Sequence, residues 1–244
     1  MKQSIINKLN QINYDFYQQK AHSFSSSRQF PWPGWSRTLN NINPNLKHKV
    51  IDVGCGNGRW RHFLHQSKFN LESYLGIDIS QELLNKAVTS CQYPNTYWLQ
   101  IDLLKFAKYD LPNITTPATL IGCFGIIHHI PSTKTRIELL NKLLSLLQQK
   151  GILAISFWQY HNDPRFTSKL INWSRLSLTE SMLEPGDKLL SWQNDIHTPR
   201  YVHVFNDLQI NELISHIPNV QILDDYKNDG KSKDLNRYII LQKK

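Results

Sequence analysis

The sequence predicts an α/β fold: a doubly wound, mostly parallel sheet of seven strands, with a helical cap before it and an insertion after the fifth strand. Three observations support this prediction. Short apolar runs alternate with helical patterns along most of the chain. A glycine-rich turn, residues 54–58, follows the first run of the core. Acidic residues end the first three runs, and ligands of such folds bind at the carboxyl ends of the strands.

The N-terminal segment, residues 1–30, spaces its apolar side chains as a helix does. It leads into a loop, residues 30–35, that holds two prolines and two tryptophans. Because proline fixes its own φ angle, we expect this aromatic loop to be stiff. A helix at about 35–43 then precedes the first strand.

The core alternates regularly between strands and helices. Ser80 is placed to cap the second of these helices, and Gly151 is placed to end the third. A polar loop with Pro112 and Pro117 precedes the fourth strand. The expected strands are 49–53, 73–78, 96–101, 118–124 and 152–158, and the expected helices are 58–67, 80–91 and 132–148.

The alternation stops after the fifth strand. Residues 159–204 begin with a predicted helix near 163–175 and continue as a long polar and aromatic stretch, and an insertion of that length is usually functional. A helix at 206–217 and two strands, one of them antiparallel, end the chain. We therefore expect a single domain with four parts: a cap at 1–45, a core at 46–158, an insertion at 159–204, and a C-terminal part at 205–244. The two strands of the C-terminal part are expected near 219–225 and 236–242.

Composition limits the class of protein. The chain has 244 residues, of which 40% are hydrophobic and 19% are charged, as in a globular protein with one core. No apolar run reaches the ~18 residues that span a bilayer, and residues 1–8 lack a signal-peptide core. Three scattered cysteines fit a reducing compartment and show no metal-like spacing. We expect a cytoplasmic protein without a metal site or a membrane partner, and the net charge of +9 favours a polyanionic partner such as RNA.

The glycine turn and the acidic strand ends suggest a nucleoside ligand. Glycine lets the backbone turn sharply and approach a ligand closely. Asp78 follows the glycines by about 20 residues, the distance at which a dinucleotide fold places its ribose-binding acid. A carboxylate there can accept hydrogen bonds from both ribose hydroxyls. Asp102 ends the next strand at the same edge of the sheet.

With these motifs the chain resembles the class I S-adenosylmethionine-dependent methyltransferases over roughly residues 12–244. The GxGxG spacing favours S-adenosylmethionine over NAD. The resemblance implies that the glycine turn holds the methionine moiety, that Asp78 binds the ribose, and that Asp102 contacts the adenine amino group with Leu103 stacking beside it. The expected cofactor contacts also include Asp52, Gly54, Cys55, Gly56, Gly58, Ile79 and Phe124.

A narrower resemblance is carried by Phe24…Ser27-Arg28…Pro31-Trp32-Pro33, by Ile126-Ile127-His128-His129 and by residues 199–205, Pro-Arg-Tyr-Val-His-Val-Phe. Together these look like the tRNA wobble-uridine carboxymethyl methyltransferases. That family esterifies a carboxymethyl group on the wobble uridine, and its eukaryotic members use a small zinc-containing activator subunit. Residues 174–198 are less typical of the family.

The resemblance also implies acceptor contacts. The segment with Arg200, Tyr201 and His203 faces the acceptor in that family, and Asn236 matches a further family position. Because a carboxylate is already ionised at neutral pH, its methylation needs no general base. Arg200 could hold one carboxylate oxygen, with His203 and Tyr201 orienting the group.

Other residues have two interpretations. Arg200 could instead be a fold-stabilising cation, and Tyr201 could pack in the core. Of His128 and His129, one could contact the acceptor, or one could pack while the other lines the cleft. We expect Arg28 and Trp32 at the mouth of the cofactor or acceptor site, with Arg28 able to pair with the cofactor carboxylate.

Two other functions are compatible with the sequence. One is a small-molecule O- or C-methyltransferase of the same fold, which would not bind tRNA in a salt-dependent way. The other is a catalytically silent binding module, which would not bind the cofactor. The intact glycine turn with Asp52, Asp78 and Asp102 counts against the silent module.

Overall fold

The computed structural model of the chain describes residues 1–109, 117–160, 163–193 and 195–244. The loop predicted around Pro112 lies outside these residues. The strands are β1 (His48–Val53), β2 (Leu71–Asp78), β3 (Thr96–Gln100), β4 (Ala118–Cys123), β5 (Leu147–Trp158), β6 (Asp187–Trp192), β7 (Asp195–His203), β8 (Val220–Asn228) and β9 (Asn236–Lys243). The α-helices are α1 (Gln3–Ser26), α2 (Gly34–Leu39), α3 (Arg59–Gln66), α4 (Gln81–Ser90), α5 (Leu103–Phe106), α6 (Thr133–Ser145), α7 (Pro164–Thr167) and α8 (Asp207–Ser215).

The predicted doubly wound sheet is confirmed. Within the described residues, seven strands pair in the order β3-β2-β1-β4-β5-β9-β8. Strands β1 to β5 pair in parallel, and β9 runs antiparallel to both of its neighbours. Because the strand order reverses between β1 and β4, a crevice opens at their carboxyl ends, which is where ligands bind in this class of fold.

The core helices follow their sequence signals, with one exception. The Ser80 side chain caps α4 by accepting a hydrogen bond from the Leu83 amide at 3.3 Å. The predicted helix 132–148 is too long, because α6 ends at Ser145 and β5 already begins at Leu147. Pairing of Leu147 with Ala118 draws the chain into the sheet before Gly151 is reached.

The insertion differs from its prediction. The helix expected near 163–175 is wrong: α7 ends at Thr167, and the Ile171 amide then donates to the Leu189 carbonyl at 2.8 Å. Pairing with β6 therefore replaces further helical turns. Strands β6 and β7 form an antiparallel hairpin that the sequence analysis did not predict.

The hairpin and α1 together cover the carboxyl ends of the sheet strands. Apolar residues of α1, Ile5 and Leu9, are buried with Leu189 and Tyr201 of the hairpin. Two larger clusters fill the two faces of the main sheet. Among the described helices, none combines the length and the apolar character that crossing a membrane requires.

Candidate functional site

Two adjoining cavities lie above the carboxyl ends of β1, β2 and β4. The first cavity is bounded by the glycine turn, Asp52, Asp78 and Phe124. The second cavity is bounded by His128, Trp158, Trp192, Arg200 and Asn236. Residues common to both walls are Tyr17, Phe24, Arg28, Trp32, Arg59, Gly125 and His129.

The glycine turn forms the floor of the first cavity. Gly54 and Gly56 have φ angles of +71° and +54°, a region in which a side chain is strained. A Cβ atom built on Gly56 would meet no atom within 4 Å, so this residue faces open space. A ligand can therefore lie directly against the backbone at this point.

Asp78 links the end of β2 to the glycine turn. Its carboxylate accepts hydrogen bonds from the Gly56 amide at 2.8 Å and the Ser80 amide at 2.9 Å. A carboxylate has about four lone-pair positions, so two remain for a ligand. Burial raises the pKa of Asp78 although these amides oppose the shift.

Asp52 lies beneath the same turn. The Tyr74 hydroxyl donates a hydrogen bond to its carboxylate. The pKa of Asp52 is raised to about 7, mainly by burial, while the Tyr74 hydrogen bond opposes the rise and the nearby charge of Asp78 adds to it. A cationic group in the first cavity would favour the ionised form of this carboxylate.

Most of the predicted cofactor residues line the first cavity, but two do not. Gly58 faces Trp98 and Cys91 rather than the open space. Asp102 lies in an adjoining groove, where the Asn10 amide donates to both of its carboxylate oxygens at 3.3 Å. The predicted residues on the wall are Arg28, Trp32, Asp52, Gly54, Cys55, Gly56, Asp78, Ile79, Leu103 and Phe124.

Arg200 is a buried cation in the second cavity. The residue is 5% exposed, and its guanidinium lies 5.7, 5.5 and 5.4 Å from the ring centroids of Phe16, Trp158 and Trp192. Among the described residues it has no carboxylate within ion-pair distance, and its Nε has no hydrogen-bond partner. A buried charge without a counter-ion is costly, and an anionic ligand would remove that cost.

The two histidines are neutral at physiological pH. His129 Nδ1 lies 2.9 Å from the Tyr201 carbonyl oxygen, and its Nε2 lies 2.7 Å from the Tyr17 hydroxyl. Because a carbonyl only accepts, Nδ1 carries the proton and Tyr17 donates to Nε2. Burial lowers the pKa of His129 to about 3 and that of His128 well below its ordinary value.

Tyr201 and His203 line neither cavity. The Tyr201 hydroxyl and His203 Nδ1 both donate to Asp187, at 2.8 and 2.7 Å, and Arg136 pairs with Glu184 at 3.0 Å. Successive side chains of a strand point to opposite faces, so Arg200 reaches the cavity and Tyr201 does not. The Glu184, Asp187 and His203 group has metal-like geometry, but Arg136 already supplies the positive charge between the two carboxylates.

Asn236 lines the second cavity, where its amide donates to Asp229 at 2.8 Å. Trp158 and Trp192, which form the walls around Arg200, were not predicted as site residues. Trp158 ends the fifth strand, and the rule that ligands bind at strand ends could have identified it. Trp192 lies on the unpredicted hairpin, so no local signal marked it.

Comparison with known proteins identifies the family of the chain. Residues 24–208 match a family model described as a methyltransferase domain. The tRNA (carboxymethyluridine(34)-5-O)-methyltransferase of Arabidopsis thaliana is 25% identical over 177 residues, which are 72% of this chain and 39% of that protein. The mouse (Mus musculus) protein of the same name is 28% identical over 169 residues, 67% of this chain and 22% of that protein. The chain therefore spans well under half the length of these two relatives.

The fold recurs in solved structures. A crystal structure of an S-adenosylmethionine-dependent methyltransferase from Clostridium acetobutylicum superposes with a TM-score of 0.63 at 13% sequence identity. The match covers 93% of this chain and 98% of that one. At this level of identity the likeness concerns the fold alone.

Proposed function

The chain belongs to the methyltransferase domain family, and from that premise we propose that it methylates a carboxylate with S-adenosylmethionine as the donor. We propose further that the acceptor is the carboxymethyl group of a modified wobble uridine in tRNA. The observation that carries the carboxylate assignment is Arg200, a buried guanidinium without a carboxylate partner among the described residues, in the cavity that adjoins the expected donor site.

The first cavity fits S-adenosylmethionine. Gly56 leaves open space at the turn, and Asp78 keeps lone pairs free for ribose hydroxyls. Asp52 offers a buried carboxylate for the ammonium group, and Arg28 offers a cation for the carboxylate. When bound, the cofactor supplies a methyl group on a positively charged sulfur.

The acceptor would be held by charge and shape. Arg200 would donate hydrogen bonds to one carboxylate oxygen and leave the other free to attack. Because His128 and His129 are neutral, neither competes with Arg200 for the acceptor charge. Trp158 and Trp192 form apolar parts of the cavity wall beside Arg200. Alignment of the reacting atoms can supply a large part of the rate, and no proton has to be removed.

The tRNA assignment has separate support. The Arabidopsis and mouse relatives are both named as methyltransferases of carboxymethyluridine at tRNA position 34. The chain carries a formal net charge of +9, and cationic proteins bind the phosphate backbone of nucleic acids. A small carboxylic acid would use the same Arg200 but would neutralise far fewer of these positive charges than a tRNA backbone does.

The decisive experiment identifies the labelled product. The protein is incubated with methyl-labelled S-adenosylmethionine and bulk tRNA from a strain that lacks it, and the RNA is digested to nucleosides. We expect the label in the methyl ester of carboxymethyluridine, released by mild alkali as an ester should be. Label in a free metabolite would contradict the tRNA assignment and leave the carboxylate chemistry open to a small-molecule acceptor.

The activator subunit implied by the resemblance remains a prediction. It is tested by repeating the same assay with and without a small zinc-containing subunit of the eukaryotic type. If an activator is required, methyl transfer will be seen only when the chain and the small zinc-containing subunit are present together. Full turnover by the chain alone would contradict it.

A further inference from the structure

We propose that Phe30 is a stacking platform for the nucleobase next to the target nucleotide, so that the protein reads a strand rather than a single nucleoside. This inference rests on the proposed RNA acceptor. It concerns the outer rim of the second cavity, where Phe30, Pro31 and Trp32 meet solvent.

Phe30 is unusual in its exposure. Its side chain is 81% exposed, and it is the only exposed residue among the phenylalanines and tryptophans that the structure describes. A lone exposed apolar residue needs no explanation by itself. Phe30, however, lines the rim of the cavity that holds Arg200.

The backbone around Phe30 is anchored although its ring is free. Arg59 donates from Nη1 to the Phe30 carbonyl oxygen at 2.8 Å, and the side-chain Nε2 of Gln29 donates to the Ser25 carbonyl oxygen at 2.8 Å. Pro31 follows directly and fixes its own φ angle. A ring presented on a stiff loop loses little conformational entropy on binding, which favours a stacking role.

The charges around the ring fit a nucleotide strand. Lys169 lines the same cavity and has no carboxylate partner among the residues that the structure describes. Arg59 lies on the shared wall, and the described part of the chain gives it no ion pair. An aromatic face beside unpaired cations is the arrangement that single-stranded nucleic acids select, with bases stacked and phosphates neutralised.

The test separates stacking from charge. Transfer RNA carrying carboxymethyluridine is assembled with either a normal base or an abasic residue at each neighbouring position, so that the number of phosphates stays the same. With the wild-type protein we expect kcat/KM to fall about tenfold when one of these bases is removed, since stacking on an aromatic side chain contributes ~1–3 kcal/mol. With the Phe30→Ala variant, the kcat/KM for the intact tRNA should fall to the value for the abasic tRNA. The kcat/KM for the abasic tRNA should be the same in the variant and the wild type.

Two control variants complete the design. Phe30→Trp keeps an aromatic face and should retain the preference for the intact strand. Leu208→Ala removes a side chain that is 78% exposed on α8 and lines neither cavity, and it should behave as the wild type.

Three outcomes would overturn the proposal: no preference for the intact strand in the wild-type protein, a preference that survives in Phe30→Ala, or an equal loss on both tRNAs in that variant. The last outcome would assign Phe30 a purely structural role. Failure of the proposed function looks different, because the wild-type protein would then methylate neither tRNA.

Discussion

At the residue level, the site has an excess of positive charge. Arg28, Arg59 and Arg200 border the two cavities, and none has an ion pair with a described carboxylate. Burial, together with the nearby charge of Arg28, lowers the pKa of Arg59 to about 10. In the proposed reaction a carboxylate becomes a neutral ester, so Arg200 would bind the acceptor more tightly than the ester product, which assists release of the product.

Arg200 gives the first prediction. In Arg200→Gln, kcat/KM for the tRNA acceptor should fall roughly 10- to 100-fold, because a hydrogen bond to a charged group contributes about 1.5–3 kcal/mol. Affinity for the cofactor, measured by calorimetry, should not change. Arg37→Gln is the matched control, since Arg37 is a surface residue paired with Asp224 at 2.7 Å. Loss of cofactor binding in Arg200→Gln, or unchanged turnover, would contradict the assignment.

Asp52 gives a prediction about pH. Its pKa is about 7 in the folded protein, against 3.8 for an ordinary aspartate. Between pH 3.8 and about 7, Asp52 is protonated in the folded chain but ionised in the unfolded chain. The free energy of unfolding therefore falls as pH rises from 3.8 to about 7. The Asp52→Asn variant should therefore gain stability relative to the wild type as pH rises from about 4 to 7, as measured by urea unfolding at pH 4.5 and 8.

For Asp224, a carboxylate with a lowered pKa, the substitution to Asn should change stability with pH in the opposite direction. The hydrogen bond from Arg37 holds the pKa of Asp224 below its ordinary value of 3.8, so Asp224→Asn should lose stability relative to the wild type as pH rises towards 3.8, with no further pH dependence between about pH 4.5 and 8. Asp52→Asn should also bind the cofactor more weakly, because the amide cannot balance the ammonium group. A pH-independent effect at Asp52 would show that this carboxyl group titrates as an ordinary aspartate.

At the level of elements, the core was predictable and the insertion was not. The core strands carry local signals, such as apolar runs, the Ser80 cap and the glycine turn. The β6–β7 hairpin carries only weak local signals for strands. Pro199 argues against a strand at that position, because proline has no backbone N–H to donate to the hydrogen bonds between strands. A two-stranded sheet tolerates this proline, since each of its strands has one free edge. The helix predicted near 163–175 was likewise overridden by pairing with β6.

The hairpin gives a prediction about stability. Asp187 accepts hydrogen bonds from Tyr201, His203 and the Glu184 amide, and its side chain is fully buried. Asp187→Ala should lower the free energy of unfolding by about 3–5 kcal/mol, because the buried positive charge of Arg136 would then have only Glu184 as a counter-ion among the described residues. It should also slow turnover, since the Tyr201 carbonyl orients His129.

Asp195→Ala is the control for this element. Asp195 lies on the same hairpin and pairs with Lys20 at 2.6 Å, but both side chains are more than a quarter exposed. Exposed ion pairs contribute little to stability, so the loss should be much smaller than for Asp187→Ala. Equal losses in urea unfolding would show that the Asp187 cluster has no special role.

At the level of the whole molecule, the two halves of the site differ in how far sequence could predict them. The donor half is local, because its glycine turn, Asp52 and Asp78 lie within 27 residues of one another along β1 and β2. The acceptor half assembles Arg28, Trp158, Arg200 and Asn236 from four distant segments. Sequence patterns report neighbours along the chain, so the second cavity could only be inferred through resemblance.

The net charge of +9 gives a prediction for the whole molecule. Binding of tRNA should weaken linearly on a plot of log affinity against log salt concentration, because neutralised phosphates release counter-ions. Affinity for the cofactor should change much less, because its expected charged and polar partners Asp52 and Asp78 are buried. A salt-independent interaction with tRNA, measured by filter binding, would contradict a role for the basic surface.

We expect the first cavity to bind the nucleoside half of the cofactor through Asp78. Calorimetric titration with S-adenosylhomocysteine, the demethylated cofactor, is the sharpest test of this contact. We predict one binding site in the wild-type protein and at least a 100-fold loss of affinity in Asp78→Ala, with far-UV circular dichroism unchanged. No heat of binding in the wild type, or unchanged affinity in Asp78→Ala, would contradict the account.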